Sequence, residues 1–291
     1  MNPLDLVTLT ALMEITQGRT EIRIGLIDGP VARDHPDLAD ATVQDVSGSG
    51  RGTCTRADSL ACQHGTFVAG MLCARRGSPA PAICPGCTLL VRSIFSEADE
   101  AGNPMPSATP DELAAAVIEC VDAGAQVLNM SVGLTHPTSK QERALEEAFG
   151  YAAVRGVLVV VAVGNQGVVG SSAITRHSWV IPVVACDSQA RPTSQSNLGT
   201  STGRRGLRAP GDAVTSLGTA GQPITSGGSS VAAPFVTGAL ALLLSQFPMA
   251  TTAQVKWAIT EDAVPRRATI VPPLLDAWAA HQSLAAAYPR R

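Results

Sequence analysis

Aromatic side chains are scarce, at 3% of 291 residues. A core for a chain of this length must therefore be assembled from Ala, Val, Leu and Ile, which the 45% apolar content supplies. Net charge is also small, -3, which argues against a nucleic-acid partner. The short cluster Arg204, Arg205 and Arg208 reads as a solvated loop. No run of about eighteen apolar residues is present, so no membrane span is expected. The first seventeen residues carry no basic stretch ahead of an apolar one, and Asp5 and Glu14 interrupt them. They do not read as a secretory signal; Leu6, Leu9 and Met13 instead suit one face of a short helix. No linker, repeat or low-complexity segment divides residues 1–291, which predicts one domain with residues 1–20 as a helical segment packed on it.

Cysteine, by contrast, is plentiful, with seven residues. Cys73, Cys120 and Cys186 fall in apolar segments and read as inert core thiols. Cys54, Cys62, Cys84 and Cys87 fall in loop-like sequence. They are open to disulfide formation, to zinc, or to remaining reduced. Cys84-Pro85-Gly86-Cys87 has a spacing shared by redox and metal sites, but the context of a redox enzyme around it is missing.

Apolar strands and helices alternate. Strands are expected at 21–28, 88–94, 126–131, 157–163 and 180–186. Helices are expected at 64–75, 110–123, 139–155, 230–246, 252–260 and 274–286. Near-continuous apolar strands separated by helices imply an α/β fold with a mainly parallel sheet covered on both faces. Two irregular stretches, 47–61 and 96–109, are long enough to suggest function.

Parallel sheets gather reactive groups at the carboxyl ends of their strands. Asp28 ends the first strand in Ile24-Gly25-Leu26-Ile27-Asp28-Gly29-Pro30. His64 opens a helix in Cys62-Gln63-His64-Gly65-Thr66. Asn165 follows a buried strand in Val163-Gly164-Asn165-Gln166-Gly167. Ser230 stands in Gly227-Gly228-Ser229-Ser230-Val231-Ala232-Ala233-Pro234, ahead of an apolar helix whose N-terminus favours negative charge. Singly, each has a plain reading as a cap or turn residue. Together they supply a nucleophile, a base, an orienting carboxylate and an oxyanion donor. Asp, His, Ser is also the chain order of the subtilisin triad.

From Ile22 to about Ala286 the chain resembles the subtilisin-like serine proteases. The carrying segments are Ile27-Asp28-Gly29 with His35-Pro36-Asp37-Leu38, His64-Gly65-Thr66-Phe67-Val68-Ala69-Gly70, Asn129-Met130-Ser131-Val132-Gly133, Gly164-Asn165 and Gly228-Ser229-Ser230-Val231-Ala232-Ala233-Pro234. The resemblance implies a three-layer α/β/α fold and a serine endopeptidase. Asp28, His64 and Ser230 would be catalytic, with Ser230 rather than Ser229 as nucleophile. Asn165 would hold the oxyanion, and Ser131, Val132, Gly133 and Gly164 would bind substrate. The 96–109 stretch would form the opposite wall, with Glu97, Asp99 and Glu100 hinting at tolerance for basic residues. The sequence departs from many subtilisins at Gly29-Pro30 and at Ser229. It also lacks the oxygen-rich loop by which secreted subtilisins bind calcium, so no cofactor or high-affinity calcium site is expected. No prodomain of the usual size is expected either.

The segments around Asp28, around His64 and at Ala82-Ile83-Cys84-Pro85-Gly86-Cys87 resemble the protease domains of cyanobactin maturation enzymes. That implies processing of a ribosomally made precursor peptide by leader removal, in a monomeric cytoplasmic enzyme. Only 35 residues separate Asp28 from His64, little room for the lid of a macrocyclising relative. The competing readings are a general degradative subtilisin secreted after loss of a leader, a macrocyclising peptidase, and an inactive binding scaffold.

Overall fold

The computed structural model describes residues 2–46, 53–95, 97, 108–132, 139–260 and 269–289. Seven strands form one sheet: β1 (Arg23–Asp28), β2 (Thr42–Asp45), β3 (Thr88–Ser93), β4 (Val127–Met130), β5 (Leu158–Ala162), β6 (Val180–Cys186) and β7 (Leu207–Pro210). Their order is β2-β3-β1-β4-β5-β6-β7, with neighbours parallel throughout. Strands β8 (Val214–Leu217) and β9 (Pro223–Ser226) make a separate antiparallel hairpin. The helices are α1 (Pro3–Leu6), α2 (Leu9–Ile15), α3 (Leu60–Cys73), α4 (Pro110–Asp122), α5 (Ser139–Val154), α6 (Ala173–Arg176), α7 (Thr200–Arg205), α8 (Ser229–Gln246), α9 (Thr252–Thr260) and α10 (Ala277–Ala287).

The side-chain period of two along a strand splits the core in two. In β5, Leu158 and Val160 face one layer with Phe67, Met71, Phe235 and Leu240 of α3 and α8. Val159 and Val161 face the other, with Leu113 and Val117 of α4 and Leu145 and Phe149 of α5. Strand β6 is buried along its whole length. The result is the three-layer α/β/α arrangement expected from the alternating apolar segments.

Helix α8 spans 18 residues with mean hydropathy 1.4, which by length and composition alone would suffice to cross a membrane. It passes that test although Ser229, Ser230 and Thr237 interrupt its apolar run. Here 89% of it is buried inside the protein, as befits the central helix of a sandwiched sheet.

Several boundaries differ from the sequence expectation. Helix α3 begins at Leu60, capped by the Ser59 side chain, so His64 lies in its second turn and does not open it. The amino-terminal segment is two short helices broken at Thr8, which has φ 54. The Thr8 hydroxyl donates to Asp276 Oδ1 at 2.7 Å and accepts from Trp278 N at 2.9 Å. Helix α10 starts at Ala277, because Leu275 N is drawn to Arg208 O at 2.9 Å, beside β7.

Two glycines dock α3 against the end of β1. A Cβ on Gly29 would lie 2.0 Å from Ala61 O, and one on Gly65 would lie 2.4 Å from Gly29 O. The Thr66 hydroxyl then accepts from Ala32 N at 2.9 Å. Gly65→Ala must push α3 off the strand end, at a cost of about 1–3 kcal/mol for overpacking. Urea denaturation of the variant should show that loss, and an unchanged midpoint would contradict the docking argument.

Candidate active site

The carboxyl ends of β1, β4 and β5 lie side by side, since β4 pairs with both others. Asp28 terminates β1, Ser131 follows β4, and Gly164 and Asn165 follow β5. Sheet order alone therefore brings residues far apart in sequence to one edge.

Asp28 is fully buried. Its Oδ1 accepts from Gly29 N at 2.6 Å and lies 2.7 Å from His64 Nδ1. Its Oδ2 is buried with no partner among the described residues. Burial opposes the His64 imidazolium, but the charge of Asp28 and its hydrogen bond outweigh that and raise the histidine above its usual 6.5. With Nδ1 engaged by Asp28, Nε2 is the nitrogen available to accept a proton. His64 and Ser230 form no hydrogen bond with each other in this structure, a looseness common in ligand-free catalytic sites.

Ser230 sits in the first turn of α8, behind the N-cap Gly228 at φ 117. A Cβ at Gly228 would lie 2.7 Å from Asn165 Nδ2, so glycine is required there on two counts. The first amides of the helix are mostly claimed. Ser229 N donates to Asn165 Oδ1 at 2.8 Å, while Val231 N and Ala232 N donate to Gly228 O. Ser230 N has no acceptor among the described residues. It is the amide left for a developing negative charge at the helix N-terminus.

Ser229 has a structural part. Besides its amide, its hydroxyl donates to Asn165 Oδ1 at 3.1 Å and accepts from Gly164 N at 3.0 Å. Because the asparagine oxygen is committed to Ser229, its amide nitrogen is the atom left to donate. The same turn is held from the far side by Asn197, whose Oδ1 accepts from Gln166 N and Val168 N, each at 3.1 Å. Its Nδ2 donates to Val163 O at 3.0 Å. Nothing in its sequence neighbourhood singles Asn197 out, because its partners lie some 30 residues away.

A buried polar chain fixes α8 to β4. Thr237 Oγ1 donates to Asn129 Oδ1 at 2.8 Å, Asn129 Nδ2 donates to Ser131 Oγ at 3.0 Å, and Ser131 Oγ donates to the Ser230 carbonyl at 3.1 Å. Pro234 explains why that carbonyl is available. It lies inside the helix four residues on, where its missing N–H would otherwise bond Ser230 O. Asn129 and Thr237 act as positioning residues that the sequence reading did not single out. Val132 is buried, while Gly133, Asp99 and Glu100 lie outside the described residues.

The cysteines resolve differently from one another. Cys54 and Cys62 form a disulfide. Cys84 and Cys87, expected in a loop, are instead fully buried and free. Hydrogen bonds with Cys73 and Cys87, together with burial, hold the Cys84 thiol protonated well above the usual thiol range. Cys120 and Cys186 are buried core thiols, pushed up to about 12 and about 11 by burial.

Comparison with known proteins agrees with this geometry. The subtilase family model (peptidase S8) matches residues 19–281. The chain is 28% identical to subtilisin DY of Bacillus licheniformis over 248 residues, 83% of each protein. It is 32% identical to the thermophilic serine proteinase of Bacillus sp. (strain AK1) over 237 residues, covering 80% of this chain but 54% of that protein. The chain thus spans about half the length of that relative. Among solved structures, the protease domain of PatA superposes with a TM-score of 0.82 at 28% identity, covering 93% of this chain and 97% of that one. The prenylagaramide maturation protease PagA superposes with a TM-score of 0.81 at 28% identity, covering 95% and 98%.

Two measurements test the site's physics. Ser131→Ala should cost about 1–3 kcal/mol by leaving the Ser230 carbonyl unpaired. Adding Pro234→Ala supplies an N–H to that carbonyl, so the double variant should recover part of the loss; strict additivity in denaturation would refute the link. The His64 ring protons, followed by NMR, should titrate above pH 6.5 in the wild type and below the wild-type value in Asp28→Asn. The proton-free base is then populated only as pH rises past that raised value.

Proposed function

The chain belongs to the subtilase family and is a subtilisin-like serine endopeptidase, and from that premise we propose that it trims a ribosomally made precursor peptide through an acyl-enzyme. The observation that carries the catalytic part is the Asp28–His64 pair at the strand ends, beside a helix whose one unclaimed first-turn amide belongs to Ser230.

In this reading His64 Nε2 takes the Ser230 Oγ proton as that oxygen attacks a peptide carbonyl. It later returns the proton to the leaving amine, while Asp28 holds the ring and stabilises its cation. The oxyanion is received by Asn165 Nδ2 and Ser230 N. Ser131, Val132, Gly133 and Gly164 offer backbone to an extended substrate, which adds as a strand. The scheme uses only side chains and amides of this chain, so we propose that peptide-bond cleavage itself needs no metal or other cofactor.

The substrate class rests on the likeness to the protease domain of PatA and to PagA, the latter named for prenylagaramide maturation. Leader removal by hydrolysis is favoured over macrocyclisation by the short Asp28–His64 connection of 35 residues. A monomeric, cytoplasmic enzyme fits a small precursor made in the same compartment.

A fluorophosphonate probe should label the wild type and not Ser230→Ala; equal labelling of both would remove Ser230 as nucleophile. Asn165→Ala should lower turnover roughly 100- to 1000-fold, the size seen when subtilisin loses its oxyanion asparagine. Given a short precursor and a set of unrelated unfolded proteins, the enzyme should cut the precursor at one site. Broad digestion of the unfolded proteins would favour a degradative role instead.

A further inference from the structure

The Glu97 carboxylate is directed at the Cys54–Cys62 disulfide, and the contact is chemically unusual. Glu97 Oε1 lies 2.6 Å from Cys62 Sγ. A disulfide sulfur carries no proton, so in the oxidised form this is a meeting of lone pairs and not a hydrogen bond. A cation, or a thiol proton, is what would satisfy it.

The carboxylate is held in place independently of the sulfur. Its Oε1 accepts from Thr55 N at 2.5 Å and from Arg56 N at 3.1 Å, and its Oε2 accepts from the Thr55 hydroxyl. These bonds, against the opposing effect of burial, keep it below the usual carboxylate range. The two sulfurs and a Glu97 oxygen all lie within 4.8 Å of one another, forming the one group of three such ligands found among the described residues. The two cysteines come from separately anchored places, and Glu97 is tied to the residues that follow Cys54. Cys62 lies in the first turn of α3, beneath the Ser59 cap, and Cys54 N donates to Val31 O at 3.2 Å, just beyond the end of β1.

From this arrangement we propose that Cys54, Cys62 and Glu97 form a redox-gated site for Zn²⁺, closed as the disulfide and open as the dithiol. Two thiolates and one carboxylate suit zinc and not calcium or magnesium, which take oxygen ligands. Reduction by a dithiol transfers two electrons and two protons to the disulfide. It gives the two cysteine thiols and leaves the reductant as its own disulfide. Zinc then displaces both thiol protons to solvent, forms two Zn–S bonds and takes Glu97 as an ionised third ligand. Metal–ligand lengths of about 2.0–2.3 Å require the two sulfurs to part by about 1.5 Å, a shift for Cys54, which lies outside any helix or strand of the sheet. The three side chains leave the fourth tetrahedral position to solvent. Cys62 lies two residues before His64 on α3, so the site is built into the element that carries the candidate base. The proposal does not depend on the peptidase reading.

Cobalt(II) is the probe. Full-length protein is reduced with a dithiol, desalted without oxygen, checked for free thiols, and titrated with Co²⁺ and then Zn²⁺. The reduced wild type should develop tetrahedral visible bands and near-ultraviolet sulfur-to-cobalt absorption at one equivalent. Zn²⁺ should abolish both, and the oxidised protein should show neither. Cys54→Ser should at least halve the sulfur-to-cobalt intensity, since one of two thiolates is lost, and Glu97→Gln should weaken affinity on the order of tenfold or more. Cys84→Ser, which alters only the separate buried thiol cluster, should leave the bands intact. No bands in thiol-verified reduced protein would overturn the proposal. So would bands that survive Cys54→Ser and vanish in Cys84→Ser.

Discussion

The Ser230 carbonyl is the point on which the site depends. In an ordinary helix that oxygen would belong to the amide four residues on. Pro234 has no such amide, and the released carbonyl is taken by Ser131 from the neighbouring strand end. Ser131 is itself held by Asn129, and Asn129 by Thr237, about two turns further along the same helix. The helix is thereby gripped at two levels by one strand, with every polar atom in the chain of contacts given a use. A proline that costs one helical hydrogen bond becomes the means by which the nucleophile's residue is tied to the sheet. A buried polar network of this kind is worth having only when fully satisfied, and this one is.

The aspartate and histidine are brought together by a different device. Their contact needs α3 to approach the end of β1 more closely than any side chain would allow, and Gly29 and Gly65 supply that approach from both sides. Shape brings the pair together there, whereas hydrogen bonds set the serine helix. The parallel sheet supplies the common reference, because β1, β4 and β5 are adjacent and all end at the same edge.

The sequence exposed the parts of this arrangement that combine strong periodicity with a distinctive local motif. Strand β6, buried throughout, and helix α9 were legible to the residue, and Asp28, Asn165 and Ser230 stood out because each follows or opens a long apolar element. Where the signal was short or came from afar, it was lost. Strands β2, β8 and β9 are four residues each and partly exposed. The sequence places the start of α3 four residues late because its first residues run on from the irregular 47–61 stretch and its cap is a lone serine. Asn197, Asn129 and Thr237 owe their importance to partners across the fold. The cysteines divided for the same reason: Cys84 and Cys87 lie in a proline- and glycine-rich stretch that looks like an exposed loop, yet Gly86 N bonds Gln17 O and the amino-terminal segment covers them.

Asn165 is bound through its oxygen by both polar atoms of Ser229, while its nitrogen is left to the open side. One amide group is thus both a strut and a tool. Truncating it removes a support from the helix that carries Ser230 at the same moment as it removes an oxyanion donor, so a rate loss in that variant sums two effects. Aspartate in its place keeps the acceptor for Ser229 and presents no amide hydrogen. Its carboxylate also repels a developing oxyanion, so relative to alanine it should spare the fold more and the rate less.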